Sequence, residues 1–343
     1  MSYPSSMQAI TYAKTGGLEV IEKTTQPFPK IAPEDVVIKV EYSGVNFIDT
    51  YYRKGIYPTK SFPAIIGTEA AGTIVGLPTD QGVLSNPEYK KRAFEIGGKV
   101  ATGRLGAFAE YMVVPWNDAF SIPNGITTLK AASSLLQGLT ATSFMEEGYN
   151  VQKGDIILIH TVAGGLGLLM CQLAKFRGAT VIGTTSTKAK AALATEHGCD
   201  HVILYTEEET VKRVLEITKG DGVNAVFDGV GKDTFDDNFK LIKRKGTILT
   251  LGNASGPVPP FSPMKLVEKN VKLLRPTQKN YCVTPAESLH YANEVFKLIQ
   301  NDTLKINIHK QYPFTAEGVA DSQNDLAGRS TVGKLVIKVA ESA

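Results

Sequence analysis

Along the first third of the chain, apolar positions come in short stretches broken by glycine and proline: Val36–Val40, Ala71–Val75, Lys99–Thr102 and Ala109–Val114. This rhythm predicts a β-rich, loop-rich unit whose strands are partly covered. Between them, Gly76–Gly98 carries Pro78, Pro87 and the charged run Lys90-Lys91-Arg92, and reads as a solvated surface loop. From about Gln137 the pattern changes to continuous apolar, β-branched runs at Ile156–Ile159, Thr180–Gly183, Val202–Leu204, Ala225–Phe227 and Thr247–Leu251. Such runs predict strands buried on both faces. The segments between them, Leu166–Phe176, Lys188–His197, Glu207–Thr218 and Thr234–Ile242, read as helices, so the block is β-α-β-α-β with a parallel, doubly wound sheet. Val271–Leu274 closes it as an edge strand. After Pro276 a helix at Ala286–Gln300 and a β segment at Lys334–Val339 lack this alternation and are expected to pack on the first third. The expectation is an α/β fold in which a β-rich domain, residues 1–128 and 283–343, is interrupted by a doubly wound domain, residues 129–282.

Composition narrows the classes. The chain has 343 residues, 43% hydrophobic and 21% charged, with 32 Gly and 17 Pro spread along it, which excludes a disordered or low-complexity polymer. Lys and Arg total 37 against 34 for Asp and Glu, and a net charge of +3 disfavours a dedicated nucleic-acid binder. Cys171, Cys199 and Cys282 lie too far apart for a disulfide framework or a metal clip, so a reducing cytoplasm is expected. The N-terminus reads as neither a leader nor a membrane anchor.

Candidate chemistry begins after the first buried strand, where Thr161-Val-Ala-Gly-Gly-Leu-Gly167 opens a helix. A dinucleotide site needs a tight strand-to-helix turn, bare backbone for the pyrophosphate and helix N–H groups aimed at it. Gly164 and Gly167 stand where the second and third glycines of GxGxxG would stand, and Val162 replaces the first. The end of the second strand identifies the nucleotide. A site for NAD places an Asp or Glu there for the ribose hydroxyls, but Val181–Lys190 has no carboxylate and instead carries Ser186, Lys188 and Lys190. That favours the extra phosphate of NADPH.

The chain resembles the zinc-free quinone oxidoreductases, the zeta-crystallin branch of the medium-chain dehydrogenase/reductase superfamily, and fungal members in particular. The resemblance spans nearly the whole length and rests on Gly44-Val-Asn-Phe-Ile-Asp-Thr-Tyr51, Tyr57-Pro58, Gly67-Thr-Glu-Ala-Ala-Gly72, Gly138-Leu-Thr-Ala141, Ala163–Gly167, Asp228-Gly-Val-Gly231, Gly252-Asn253 and Gly328–Lys334. It implies a GroES-like catalytic domain, a Rossmann domain, a two-fold dimer and NADPH-dependent quinone reduction in an interdomain cleft. It also implies roles for particular residues: Asn46, Tyr51, Tyr57 and Arg275 at the reacting site, with Asn46 also at the cofactor. Thr140, Gly164, Gly165 and Leu166 fall to the phosphates, Tyr205 joins Ser186 and Lys190 at the 2′-phosphate, Gly231 and Asn253 lie on the nicotinamide side, and Arg329 lies in the closing segment. Val162, Leu166 and the long Gly76–Gly98 segment depart from the family pattern.

Zinc-using relatives place Cys and His ligands where this chain has Asn46 and Thr68, and a catalytic zinc needs about three N, S or O ligands. No zinc is expected. His160, His197, His201, His290 and His309 show no ligand spacing and read as packing or surface residues. Without a metal to polarise it, the substrate must already accept electrons readily, as a quinone does. An alkenal or enone double-bond reductase is the alternative enzyme, and an AU-rich RNA-binding or structural protein is the alternative from another class.

Overall fold

The computed structural model describes residues 3–328 and 331–340. Two compact units form, one from Met1–Leu136, Thr284–Gln300 and Ile306–Ala343, the other from Gln137–Val283 with Asn301–Lys305. Both differ slightly from the boundaries expected above. A break after residue 128 would cut the helix Thr128–Ala132. That helix packs on strands Asp35–Val45 and Ala70–Gly76, and its Thr128 hydroxyl donates to Glu41 Oε2 at 2.6 Å. Asn301–Lys305 joins the second unit because Gln172 clamps it: Nε2 donates to Lys305 O at 3.1 Å and Lys305 N–H donates to Oε1 at 2.8 Å.

The second unit holds a six-stranded parallel sheet in the order His201–Leu204, Thr180–Thr185, Ile156–Ile159, Val223–Asp228, Ile242–Thr250, Lys272–Leu274. Every apolar run named above between Ile156 and Leu274 supplies one of these strands. Leu158, Ile182, Val226 and Ile248 are fully buried, as strands covered by helices on both faces require. Chain order reverses at Ile156–Ile159, whose neighbours are the second and fourth strands. A reversal of this kind opens a crevice at the carboxyl ends of the strands.

The first unit is antiparallel for the most part. Its main sheet runs Ile308–Pro313, Lys334–Lys338, Asp35–Val45, Ala70–Gly76, Lys99–Thr102, Ala119–Ser121. The long strand Asp35–Val45 divides one edge between two partners, Tyr111–Pro115 along Asp35–Lys39 and Lys334–Lys338 along Tyr42–Val45. A three-stranded sheet of Glu22–Pro27, Ser6–Tyr12 and Ala64–Ile65 completes the unit. Ile10, Val36, Ile38, Phe108 and Ile337 form its core.

Gly76–Gly98 is not the solvated loop expected. Asp80 and Asn86 cap two short helices, Gln81–Ser85 and Pro87–Lys90, and Val83, Tyr89 and Phe94 pack against the core. Arg92, the last residue of the charged run, is 1% exposed. Its guanidinium donates to Ala119 O at 2.5 Å, Pro285 O at 3.0 Å and Ser288 Oγ at 3.1 Å, and lies over the rings of Trp116 and Phe120. A planar cation with five donors satisfies carbonyls on two elements at once and stacks on aromatic faces, which a solvated reading of Lys90-Lys91-Arg92 does not anticipate. No described helix is long and apolar enough to cross a membrane.

Candidate cofactor and substrate site

The turn after Ile156–Ile159 leads into the helix Gly165–Phe176, with Gly164 at its N-cap. The first N–H groups of such a helix have no intrahelical partner, which makes its N-terminus an anion site. Gly167 is required by packing: a Cβ there would lie 2.4 Å from Thr161 O and 2.7 Å from Val162 O. Helix and strand approach this closely only without a side chain. The left-handed residue of the turn is Thr161, at φ 58°, rather than Val162, which stands at the first motif glycine's position. Val162 is buried against Gly183 of the second strand, where a Cβ would come within 2.5 Å of Val162 Cγ1. Thr140, on the helix Leu135–Ser143, is half-buried.

At the neighbouring strand ends, Tyr205 N–H donates to Thr185 O at 3.1 Å and the Thr206 hydroxyl to Ser186 O at 2.9 Å. Thr187 caps the helix Lys188–Glu196 by accepting from Lys190 N–H. Ser186, Lys190 and Tyr205 therefore belong to adjoining strand and helix ends of one unit. Burial lowers the Lys190 pKa below its ordinary value, and Tyr205 is 44% exposed.

On the other side of the switch point, Gly231 has φ 92° and a Cβ there would meet Gly256 O at 2.8 Å. Asn253 follows the fifth strand, its amide nitrogen facing Gly252 O at 2.9 Å and its oxygen facing Arg275 Nη2 at 3.3 Å. Arg275 donates to Thr250 O at 2.8 Å and Gly252 O at 3.1 Å. These bonds tie it to the loop that bears Asn253. Arg329 lies outside the described residues.

In the β-rich unit, Asn46 caps the helix Phe47–Arg53 and is 6% exposed. Its amide donates to Glu69 Oε2 at 3.0 Å and accepts from Lys334 Nζ at 2.7 Å. Lys334 also bonds Glu69 Oε2 at 2.6 Å, with both side chains at 2% exposure or less, and Leu136 N–H donates to Glu69 Oε1 at 2.7 Å. Gly44 leaves room for this pair, since a Cβ would sit 2.4 Å from Glu69 Oε2. Thr68 donates to Asp49 Oδ1 at 2.8 Å, and Asn46 N–H to Asp49 Oδ2 at 2.8 Å. Burial pushes the Asp49 pKa up to about 7 against the pull of those two bonds. Tyr57 meets Tyr51 and Tyr52 edge to face, at centroid separations of 5.5 and 5.7 Å.

The donor set around Asn46 does not fit zinc. An ammonium already bridges Asn46 and Glu69, and Thr68 spends its hydroxyl proton on Asp49. Among the described residues, no three His, Cys, Asp or Glu side chains are grouped to hold a metal. The residue type of Lys334, within the Gly328–Lys334 motif, gives it no role by itself. Its partners lie 265 and 288 positions away along the chain, and no local pattern reports them.

A doubly wound sheet with a glycine turn at its switch point, in a chain that also carries a β-rich unit, defines a dinucleotide-dependent oxidoreductase of two domains. Two family models match, the alcohol dehydrogenase GroES-like domain over residues 32–124 and the zinc-binding dehydrogenase domain over residues 165–286. A quinone oxidoreductase of Pseudomonas aeruginosa is 36% identical over 331 residues, which cover 96% of this chain and 98% of that one. A probable quinone oxidoreductase of Schizosaccharomyces pombe is 34% identical, over 96% of each chain, so the likeness reaches bacteria and fungi alike. The crystal structure of Escherichia coli quinone oxidoreductase complexed with NADPH matches at TM-score 0.89 and 32% identity, over 96% of this chain and 99% of that one. The chain belongs to the quinone oxidoreductase family of the medium-chain dehydrogenase/reductase superfamily.

Proposed function

We propose that the protein is a cytoplasmic NADPH-dependent quinone oxidoreductase that works without zinc. NADPH, when bound, supplies the reducing equivalent. The observation that carries the reading is the carboxylate-free end of the second strand, where Ser186, Lys190 and Tyr205 sit on adjoining ends. There a hydroxyl, an ammonium and a phenol would hold a 2′-phosphate. The Gly165–Phe176 N-terminus, with Gly164, Gly165, Leu166 and Thr140, would hold the pyrophosphate, Gly231 and Asn253 the nicotinamide side, and Arg329 would contribute from the closing segment. On the β-rich unit, Asn46, Tyr51 and Tyr57 would offer the quinone an amide, two phenols and aromatic edges. Hydrogen-bond donors suffice for the oxyanion that develops on an acceptor as easily reduced as a quinone.

Lys190→Ala is expected to weaken NADPH binding about 10- to 100-fold, the value of a charge-assisted hydrogen bond, and to change NADH binding little. The preference should decline with added salt. Equal weakening of both cofactors in a fluorescence titration would remove Lys190 from the phosphate site.

Zinc independence is supported by the Lys334 ammonium among Asn46 and Glu69. Quinone reduction is expected to survive a chelator and to outpace enone reduction. Activity lost with a tightly held metal would overturn the first part, and a faster enone rate the second.

We also propose a homodimer built on the edge strand Lys272–Leu274, because an open edge in a parallel sheet is normally paired or covered. Light scattering at micromolar concentration is expected to report twice the chain mass, and a monomer would refute this.

A further inference from the structure

His160, read above as an ordinary packing residue, stands in a buried polar chain that crosses the switch point of the parallel sheet. Its Nδ1 lies 3.0 Å from Thr184 Oγ1 and its Nε2 2.9 Å from Asn238 Oδ1. Asn238 Nδ2 donates to Asp228 Oδ2 at 2.6 Å, and Asp228 Oδ1 accepts from Val230 N–H at 2.8 Å and Gly231 N–H at 3.2 Å. At the other end Thr161 N–H donates to Thr184 Oγ1 at 3.4 Å, and the Thr161 hydroxyl donates to His160 O at 2.6 Å. Thr184, His160, Asn238 and Asp228 are all 5% exposed or less.

For a neutral imidazole, donor and acceptor chemistry fixes the directions of the bonds along this chain. A carboxylate only accepts, so Asn238 turns its NH₂ to Asp228 and its oxygen to His160. His160 Nε2 must then carry the ring proton, which leaves Nδ1 bare to accept from the Thr184 hydroxyl. Thr184 Oγ1 keeps a lone pair for Thr161 N–H. Reversing any one bond would set two donors or two acceptors face to face in the interior, where an unpaired polar group is costly.

The two ends of the chain are the two turns assigned above to the cofactor. Thr161 begins the glycine turn and holds a left-handed conformation that a non-glycine residue adopts only when its surroundings impose it. Gly231, also at positive φ, is in the turn that Asp228 caps.

We propose that Thr184, His160, Asn238 and Asp228 are positioning residues, a directed hydrogen-bond chain that fixes the Thr161–Gly165 turn and the Val230–Gly231 turn to one frame so that both halves of NADPH bind a preformed surface. The inference rests on the NADPH reading above. None of the four touches the reacting atoms.

Two probes separate local from transmitted effects: NADPH, and 2′-phospho-ADP-ribose, which keeps the adenosine and pyrophosphate and lacks the nicotinamide. Asn238→Leu cuts the chain on the nicotinamide side while Asp228 keeps the Thr234 hydroxyl and two backbone N–H donors. It is expected to weaken both probes about 5- to 10-fold, although the fragment does not reach that side. Thr184→Val, which removes only a hydroxyl, should act similarly, and Thr184→Ser should restore wild-type binding. The threonine pair keeps the test decisive should Asn238→Leu fold poorly. A loss of thermal stability with both dissociation constants within twofold of wild type would show a merely structural role and overturn the inference. Weakened NADPH with an unchanged fragment would overturn the transmission across the switch point. Wild type that binds neither probe would overturn the cofactor reading, and with it this one.

Discussion

Lys334→Met is expected to lower the unfolding free energy by about 3–5 kcal/mol, because it leaves the Glu69 carboxylate charged and buried with no cation beside it. Both side chains are removed from water, at 2% and 0% exposure. Glu69 keeps the Leu136 N–H and the Asn46 amide, but these donors are neutral. The same substitution takes from Asn46 the ammonium that donates to its amide oxygen, leaving the amide held only through its nitrogen. Denaturant titration of Lys334→Met, Glu69→Gln and the double variant makes the argument quantitative. The double variant should be more stable than Lys334→Met alone, since no lone charge remains. A single variant within about 1 kcal/mol of wild type would mean that the pair is screened by water that its burial excludes.

Arg92→Ala is the second large effect, about 3 kcal/mol of destabilisation, from two sources acting together. Truncation removes the guanidinium's bonds to Ala119 O, Pro285 O and Ser288 Oγ and empties the space over Trp116 and Phe120. Burial lowers the Arg92 pKa to about 10, so the group is still charged at neutral pH and its loss is not offset by easy neutralisation. Arg92→Lys should recover only part of the loss, because one ammonium cannot reach two elements and stack on a ring as well. Equal stability of the lysine variant and wild type, by thermal or chemical unfolding, would show that charge alone accounts for the site.

These two residues mark what was legible in the sequence and what was not. The parallel sheet could be read because each strand is a short, continuous apolar run: Ile156–Ile159 was located to the residue, and Thr180–Thr185 and Val223–Asp228 extend the predicted cores by two or three positions. Gly167 could be read because its reason is local, the close approach of a helix to the strand before it. Arg92 could not, because a charged run looks alike whether its last member faces water or folds under a loop. Lys334, His160 and Asn238 could not for a related reason. Their partners lie on other strands, helices and turns, and only the completed topology brings donor to acceptor. Thr161 illustrates a subtler limit, since the turn takes its left-handed residue one position before the place a glycine motif suggests.

The strand Asp35–Val45 gives the order of synthesis a physical meaning. Its first half pairs with Tyr111–Pro115, which follows soon along the chain, but the edge at Tyr42–Val45 waits for Lys334–Lys338, made far later. The inserted unit, by contrast, has all six strands in hand once Leu274 has emerged. The later-begun unit thus has its sheet complete first, while the earlier one still has an unpaired edge and a Glu69 without its cation. Domains usually fold in the order they are synthesised, but here the unit begun first receives its last sheet strand after the other sheet has all of its strands. A chain that stops before Lys334 would leave the Tyr42–Val45 edge unpaired, a template for pairing with another strand.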